Sequence, residues 1–143
     1  MIITFCGHSD FVAKDGDKDR FLKLLESLCG REDTDFYLGG YGSFDLFCLG
    51  CCKEFKRTHE NATVTFVTPY MDEKYLKDRK DGYDKIIYPE LEKLPPRYAI
   101  SYRNRYMVDK ADVVVCFIKR SFGGAYKAYS YAKKKDKKII SFC

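Results

Sequence analysis

Short apolar runs alternate with amphipathic, helix-period stretches along almost the whole chain, and this alternation is the strongest constraint on its fold. Ile2 to Cys6 reads as a first strand, and Phe21, Leu24, Leu25, Leu28 and Cys29 then recur at helical spacing as one apolar stripe, with Gly30 as a stop. Asp35 to Leu38 is a second strand, followed by a helix whose buried face is Phe44, Phe47, Cys48, Cys51 and Phe55, and Val64 to Val67 is a third strand that ends at Thr68, Pro69 and Tyr70. A helix over Tyr98 to Lys110, a strand over Asp112 to Ile118, a helix reaching about Lys135 and a last strand over Lys138 to Phe142 complete the pattern. Residues 71 to 97 are charged and interrupted by Gly82, Pro89, Pro95 and Pro96, which predicts a lid-like excursion carrying one extra strand near Ile86 to Tyr88. Strands separated by helices imply an α/β fold of Rossmann-like, three-layer form, a mainly parallel sheet with helices on both faces.

No linker, repeat or low-complexity segment divides the chain, so residues 1 to 143 are expected to form one domain. At 45% hydrophobic and 16% aromatic content it can bury a core without metals or disulfides, and no cofactor or metal is expected. No stretch is long and apolar enough to span a bilayer, and the start MIITFCGHSD lacks the basic and apolar regions of a signal peptide, which predicts a cytoplasmic protein. Seven cysteines scattered through strands and helices read as reduced thiols. Cys48, Cys51 and Cys52 include a CxxC, but they coincide with an apolar helix face and have no second CxxC, so packing outweighs zinc or redox chemistry. The net charge of +5 raises nucleic-acid binding; its concentration in lysines 127 to 138, near one helix end, and the lack of a zinc-finger or helix-turn-helix signature argue against a nucleic-acid partner.

Two glycine turns stand out, GGYGSFD from Gly39 to Asp45 and FGGAY from Phe122 to Tyr126. Each follows a hydrophobic run and opens a helix, where free backbone N–H groups favour anions and glycine permits close approach. In a parallel sheet, ligands bind at the carboxyl ends of strands where the strand order reverses. Gly39, Gly40 and Gly42, Gly123 and Gly124, and Gly7, His8 and Ser9 after the first strand all fall at such ends, as does Pro69. Asp45 fits either a helix first turn or hydrogen bonds to ribose hydroxyls. His8 reads as a pocket hydrogen-bonding residue or a general base. Tyr126 offers an aromatic surface for packing or for stacking on a base. In the segment YAISYRNRYMVDKA, Asn104 interrupts an apolar face formed with Ile100, Met107 and Ala111, so it is tied to backbone or aimed into a cavity. Arg103 beside it carries the planar fork that suits a phosphate or, alternatively, a surface acid.

The run RNRYMVDKADVVVCF followed by SFGGAYKAYSYAKKKDKKIISF resembles the carboxyl half of short single-domain proteins of the SLOG superfamily, the Rossmann-like group shared by DprA and the Lonely Guy phosphoribohydrolases. GGYGSFD is similar to its amino-terminal half, and residues 71 to 97 match least. The resemblance implies a pocket for nucleotides or nucleotide-derived signals such as ADP-ribose-like or cyclic-nucleotide molecules. The residues that would line it are Gly7, His8, Ser9, Gly39, Gly40, Gly42, Asp45, Arg103, Asn104, Gly123 and Gly124. Related chains often carry an arginine in the turn after the first strand, where Ser9 stands here. It also implies homo-oligomers. The Lonely Guy enzymes share a PGGxGTxxE pattern, against which this chain has Phe122 for the proline, Tyr126 for the glycine, Lys127 for the threonine and Ser130 for the glutamate. Glycosidic cleavage ordinarily needs a positioned carboxylate. Binding without turnover is therefore expected, by a sensor or a sequestering protein that could remove an immune signal, with a phosphoribohydrolase and a DprA-like nucleic-acid binder as the alternatives.

Overall fold

A computed structural model describes residues 1 to 143. The elements run β1 (Ile2–Gly7), α1 (Asp17–Cys29), β2 (Thr34–Leu38), α2 (Ser43–Arg57), β3 (Ala62–Val67), α3 (Glu73–Arg79), β4 (Lys85–Ile87), α4 (Ala99–Lys110), β5 (Val113–Phe117), α5 (Gly124–Lys134) and β6 (Lys138–Ser141), with a single 3-10 turn at Pro96–Tyr98. All strand pairs are parallel and the sheet order is β4-β3-β2-β1-β5-β6. The chain builds outward from β1 to β4, then crosses back to lay β5 on the other side of β1. The order therefore reverses beside β1, and that is where a crevice must open at the carboxyl edge.

Period-two alternation sends β1 and β5 residues to two different layers. Ile3, Phe5, Val113 and Val115 pack with Phe21 and Leu25 of α1 and Phe44, Cys48 and Phe55 of α2. Val114 and Cys116 pack with Val108 of α4 and Ala132 of α5 on the opposite face. Aromatic rings join the first layer: Phe11 lies edge-on to Phe117 at 4.8 Å, and Phe21 to Phe142 at 5.0 Å. Ala128 and Ala132 are buried, and their small side chains let α5 sit close on the sheet.

Two sequence expectations are corrected. Residues 71 to 97 contain a helix, α3, as well as the expected strand; none of its residues is buried, and Asp72 caps it by accepting the Lys74 N–H at 3.1 Å. The buried face of α4 is Ala99, Arg103, Met107 and Val108, not the face containing Ile100, which is 45% exposed. The helix is rotated by about one residue from the apolar reading, so the arginine rather than the asparagine faces inward. Cys48, Cys51 and Cys52 are core residues of α2, and His59 is engaged elsewhere, its Nε2 lying 2.5 Å from Glu26.

Candidate functional site

The loops after β1, β2 and β5 and the first turns of α2 and α5 surround a cavity of about 370 Å³ at the expected crevice. Cys6 and Gly7 form its floor; Gly39, Tyr41 and Asp45 stand on one side, Gly123, Gly124 and Ala128 on another, and Arg103, Asn104 and Met107 of α4 form the back. That size lies within the range of small-molecule sites.

The two glycine turns turn out to be unlike. Gly42 and Gly123 share one backbone shape, φ 92°, ψ 161° and φ 93°, ψ 173°, which is essentially restricted to glycine, and each immediately precedes its helix. Neither helix start has a side-chain cap, but in the first glycine turn Ser43, Gly39 and Gly40 already have partners. The Ser43 N–H and hydroxyl both donate to the Ser9 carbonyl, at 3.1 and 2.6 Å. The Asp45 carboxylate accepts from the Gly39 and Gly40 N–H groups at 3.1 and 2.8 Å. At α5 no side chain caps the helix and no acid lies in its first turn. The first N–H groups of a helix have no partner within it, so this end presents open donors and the positive end of the macrodipole to the cavity. A side chain added at Gly124 would meet no atom within 4 Å, which is the space a ligand group would take.

Arg103 is committed to the protein. It is 3% exposed, its Nη1 donates to the carbonyls of Gly39 (2.6 Å) and Val67 (2.9 Å), and its Nε donates to Asn104 Oδ1 (2.9 Å). The fork that the sequence offered to a phosphate instead ties the ends of β2 and β3 to α4. Asn104 Nδ2 makes no hydrogen bond within the protein, and its side chain lies where the cavity meets a neighbouring groove. The Asp45 carboxyl is pushed up to about 6 by burial, against the opposing pull of the Gly39 N–H and the Arg103 charge. Its oxygens hold the turn rather than reaching for a ribose. His8 is buried and its Nε2 accepts the Lys119 N–H at 2.9 Å, bracing the β1 exit against the β5 exit. Burial, helped by the Arg120 charge, holds its imidazole below the usual range, so it is neutral at pH 7. Beneath them Cys6 and Cys116, register partners on β1 and β5, bring their thiols to 2.9 Å. The hydrogen bond to Cys116, with burial, holds the Cys6 thiol well above its ordinary range.

Of the residues proposed from sequence, the structure brings Gly7, His8, Ser9, Gly39, Asp45, Arg103, Asn104, Gly123 and Gly124 to the cavity. Four are placed otherwise. Gly40 backs onto the ring of Phe66 and Gly42 onto Ser9, each facing protein. Pro69 is buried behind the end of β3. Tyr126 points away from the cavity because it follows the α5 start by two residues, and it lines the adjoining groove.

Two further lining residues carry chemistry that the sequence reading does not single out. Arg120, from the loop after β5, lines the cavity, and its Nη1 lies 3.2 Å from both oxygens of Asp10. Its Nε is buried without a partner. Its signal in the sequence is a basic residue three positions before Gly123. Tyr41, 71% exposed inside the first glycine turn, stands at the mouth as a free aromatic face.

No family model matches the chain. It is 28% identical over 137 residues to the uncharacterized SPbeta prophage-derived protein YoqJ of Bacillus subtilis, covering 82% of this chain and 80% of that one. Among solved structures it is similar to TM1055 (TM-score 0.63, 17% identity, 96% of this chain and 71% of that chain). It is also similar to the DNA processing protein A of Helicobacter pylori, described with a single-stranded DNA binding mode (TM-score 0.66, 15% identity, 99% of this chain and 64% of that chain). DprA of Streptococcus pneumoniae matches with TM-score 0.68 at 13% identity, over 97% of this chain and 49% of that one. The chain thus spans about half to two thirds of the length of the DprA proteins. The fold is the DprA-like Rossmannoid fold that the sequence resemblance implies.

Proposed function

We propose that this protein binds a nucleotide-derived small molecule at the carboxyl edge of its sheet and holds it intact, as a sensor or as a sequestering protein. The observation that carries this reading is the uncapped start of α5, facing a cavity of about 370 Å³ beside Arg120. A phosphate there receives the Gly124 and Ala125 N–H groups and the positive end of the helix. The Asn104 amide and the Tyr41 ring are left for the sugar and base.

Retention without cleavage rests on the carboxylates. Asp45 is the one acid lining the cavity, and both its oxygens already accept backbone N–H groups. Asp10 pairs with Arg120, and Asp72 caps α3. Ser130, standing where Lonely Guy enzymes have a glutamate, lines the adjoining groove. The likeness to a prophage-derived protein supports a phage setting, in which sequestering a host signal would be counter-defence. Incubation with AMP and with ADP-ribose, followed by denaturation and chromatography of the supernatant, should return each nucleotide intact. Recovery of free adenine would overturn the binding-only reading in favour of a glycosidic hydrolase.

A second reading, binding of single-stranded nucleic acid, is supported by the description of the Helicobacter DprA structure and by a basic groove beside the cavity. It predicts an affinity for a single strand that falls steeply with salt, as counterion release requires. No helix is long and apolar enough to cross a membrane.

A further inference from the structure

A second hollow, of about 520 Å³, lies between α4 and α5 and joins the cavity through Asn104 and Gly124, which line both. Its walls carry Arg97, Arg105, Lys127 and Lys134 and no acidic side chain. None of these four cations takes part in a salt bridge. Lys127, in the first turn of α5, stands where a cation is electrostatically unfavourable by itself, at the positive end of its helix. Lys134, by contrast, is in the last turn of α5, where its charge suits the helix. Placing like charges around a concave surface raises a positive potential that an anion relieves. Tyr126 and Tyr131 add aromatic faces to the same walls, with the Arg105 guanidinium 5.3 Å from the Tyr131 ring. Lys127 and Lys134 are two helical turns apart, about 10 Å, which is room for one further nucleotide and not for a long strand.

Resting on the cavity reading above, we infer that this groove is a second anion subsite for the same ligand, which is a dinucleotide-class molecule with one phosphate on the start of α5 and another between α4 and α5. The cavity takes the first nucleotide; Arg105 and Lys127 hold the second phosphate and Tyr126 or Tyr131 receives the second base.

The test is calorimetric titration at about physiological ionic strength with AMP, with the 5′-phosphorylated linear diadenylate, and with oligoadenylates of increasing length. Diadenylate should bind at least ~10-fold tighter than AMP, because its second charged group binds from a tethered position. The exposed-surface variant Arg105→Gln/Lys127→Gln should lose most of that gain while its affinity for AMP stays within about twofold, as expected if the second phosphate alone is held there. Equal affinity of AMP and diadenylate for the unaltered protein overturns the inference, as does a variant that weakens both ligands alike, which would mark diffuse steering. Affinity that keeps climbing beyond the dinucleotide also overturns it, in favour of a nucleic-acid track. If diadenylate binds through Arg105 and Lys127 while AMP does not bind at all, the cavity reading falls and the groove stands as an independent site. Binding of neither removes both.

Discussion

Replacing Arg103 by methionine separates a structural arginine from a ligand-holding one. The substitution keeps much of the apolar stem but removes every donor, leaving the Gly39 and Val67 carbonyls without the bonds of 2.6 and 2.9 Å that they now accept. A buried acceptor stripped of its partner costs about 1 to 3 kcal/mol, so the two together cost roughly 2 to 6. Relief from burying the guanidinium charge offsets part of this, and a net loss of about 3 kcal/mol is expected. In urea denaturation, with a slope of about 2 kcal/mol per molar for a small domain, the midpoint should fall by roughly 1.5 M. Arg103→Lys should recover little of it, since an ammonium cannot serve two carbonyls and the Asn104 amide in one plane. The reasoning is refuted if Arg103→Met unfolds within about 0.5 kcal/mol of the parent protein while nucleotide binding collapses, because the guanidinium would then be serving the ligand.

Three further outcomes follow from the same geometry. The Asp45 carboxyl, raised from 3.8 to about 6, binds its proton more tightly in the native state than in the unfolded one. Its contribution to stability is therefore full below the unfolded value and is lost as pH rises through 6, with an upper bound of roughly 3 kcal/mol. The unfolding free energy of the parent protein minus that of Asp45→Asn, measured from about pH 4 to pH 7, should fall across that window; a rise would contradict the assignment. Gly7→Ala would set a Cβ 2.2 Å from Phe44 Cδ2, and overpacking of this kind should cost about 1 to 3 kcal/mol in thermal or chemical unfolding, whereas Gly124→Ala should leave stability close to the parent's. Tyr41→Ala, at an exposed position, should leave the unfolding midpoint unchanged and weaken nucleotide affinity roughly 5- to 150-fold if the ring stacks on the base; unchanged affinity would remove it from the site.

The layered sheet was legible because its signals are redundant: β1 and β5 alternate between two cores, and the α1 stripe from Phe21 to Cys29 repeats over about two turns. The α3 helix left no trace of that kind, since none of its side chains is buried and no apolar period marks it. Arg103 and Asn104 illustrate a finer limit. They are adjacent, so a helix phase error of one residue, about 100°, exchanges the inward group for its neighbour. Apolar periodicity could not resolve this, because the inward position is filled by an arginine whose charge is matched by backbone carbonyls. Arg120 was hidden for a topological reason. Only the placement of β5 directly against β1 brings it beside Asp10, more than a hundred residues earlier in the chain. The likeness of the two glycine turns was also only partly informative. Sequence allows either turn to approach a phosphate, but does not reveal that Ser9 and Asp45 already occupy the Gly39, Gly40 and Ser43 donors of the first.

The central claim is that an anionic nucleotide group sits on the open start of α5. A titration of ¹⁵N-labelled protein with AMP, followed by amide chemical shifts, reads this position directly. The account predicts the largest saturable shifts at the Gly124 and Ala125 amides, with Gly39 and Gly40, held by Asp45, moving little. Shifts centred on Gly39 and Gly40, or none at the α5 start under saturating AMP, would contradict it.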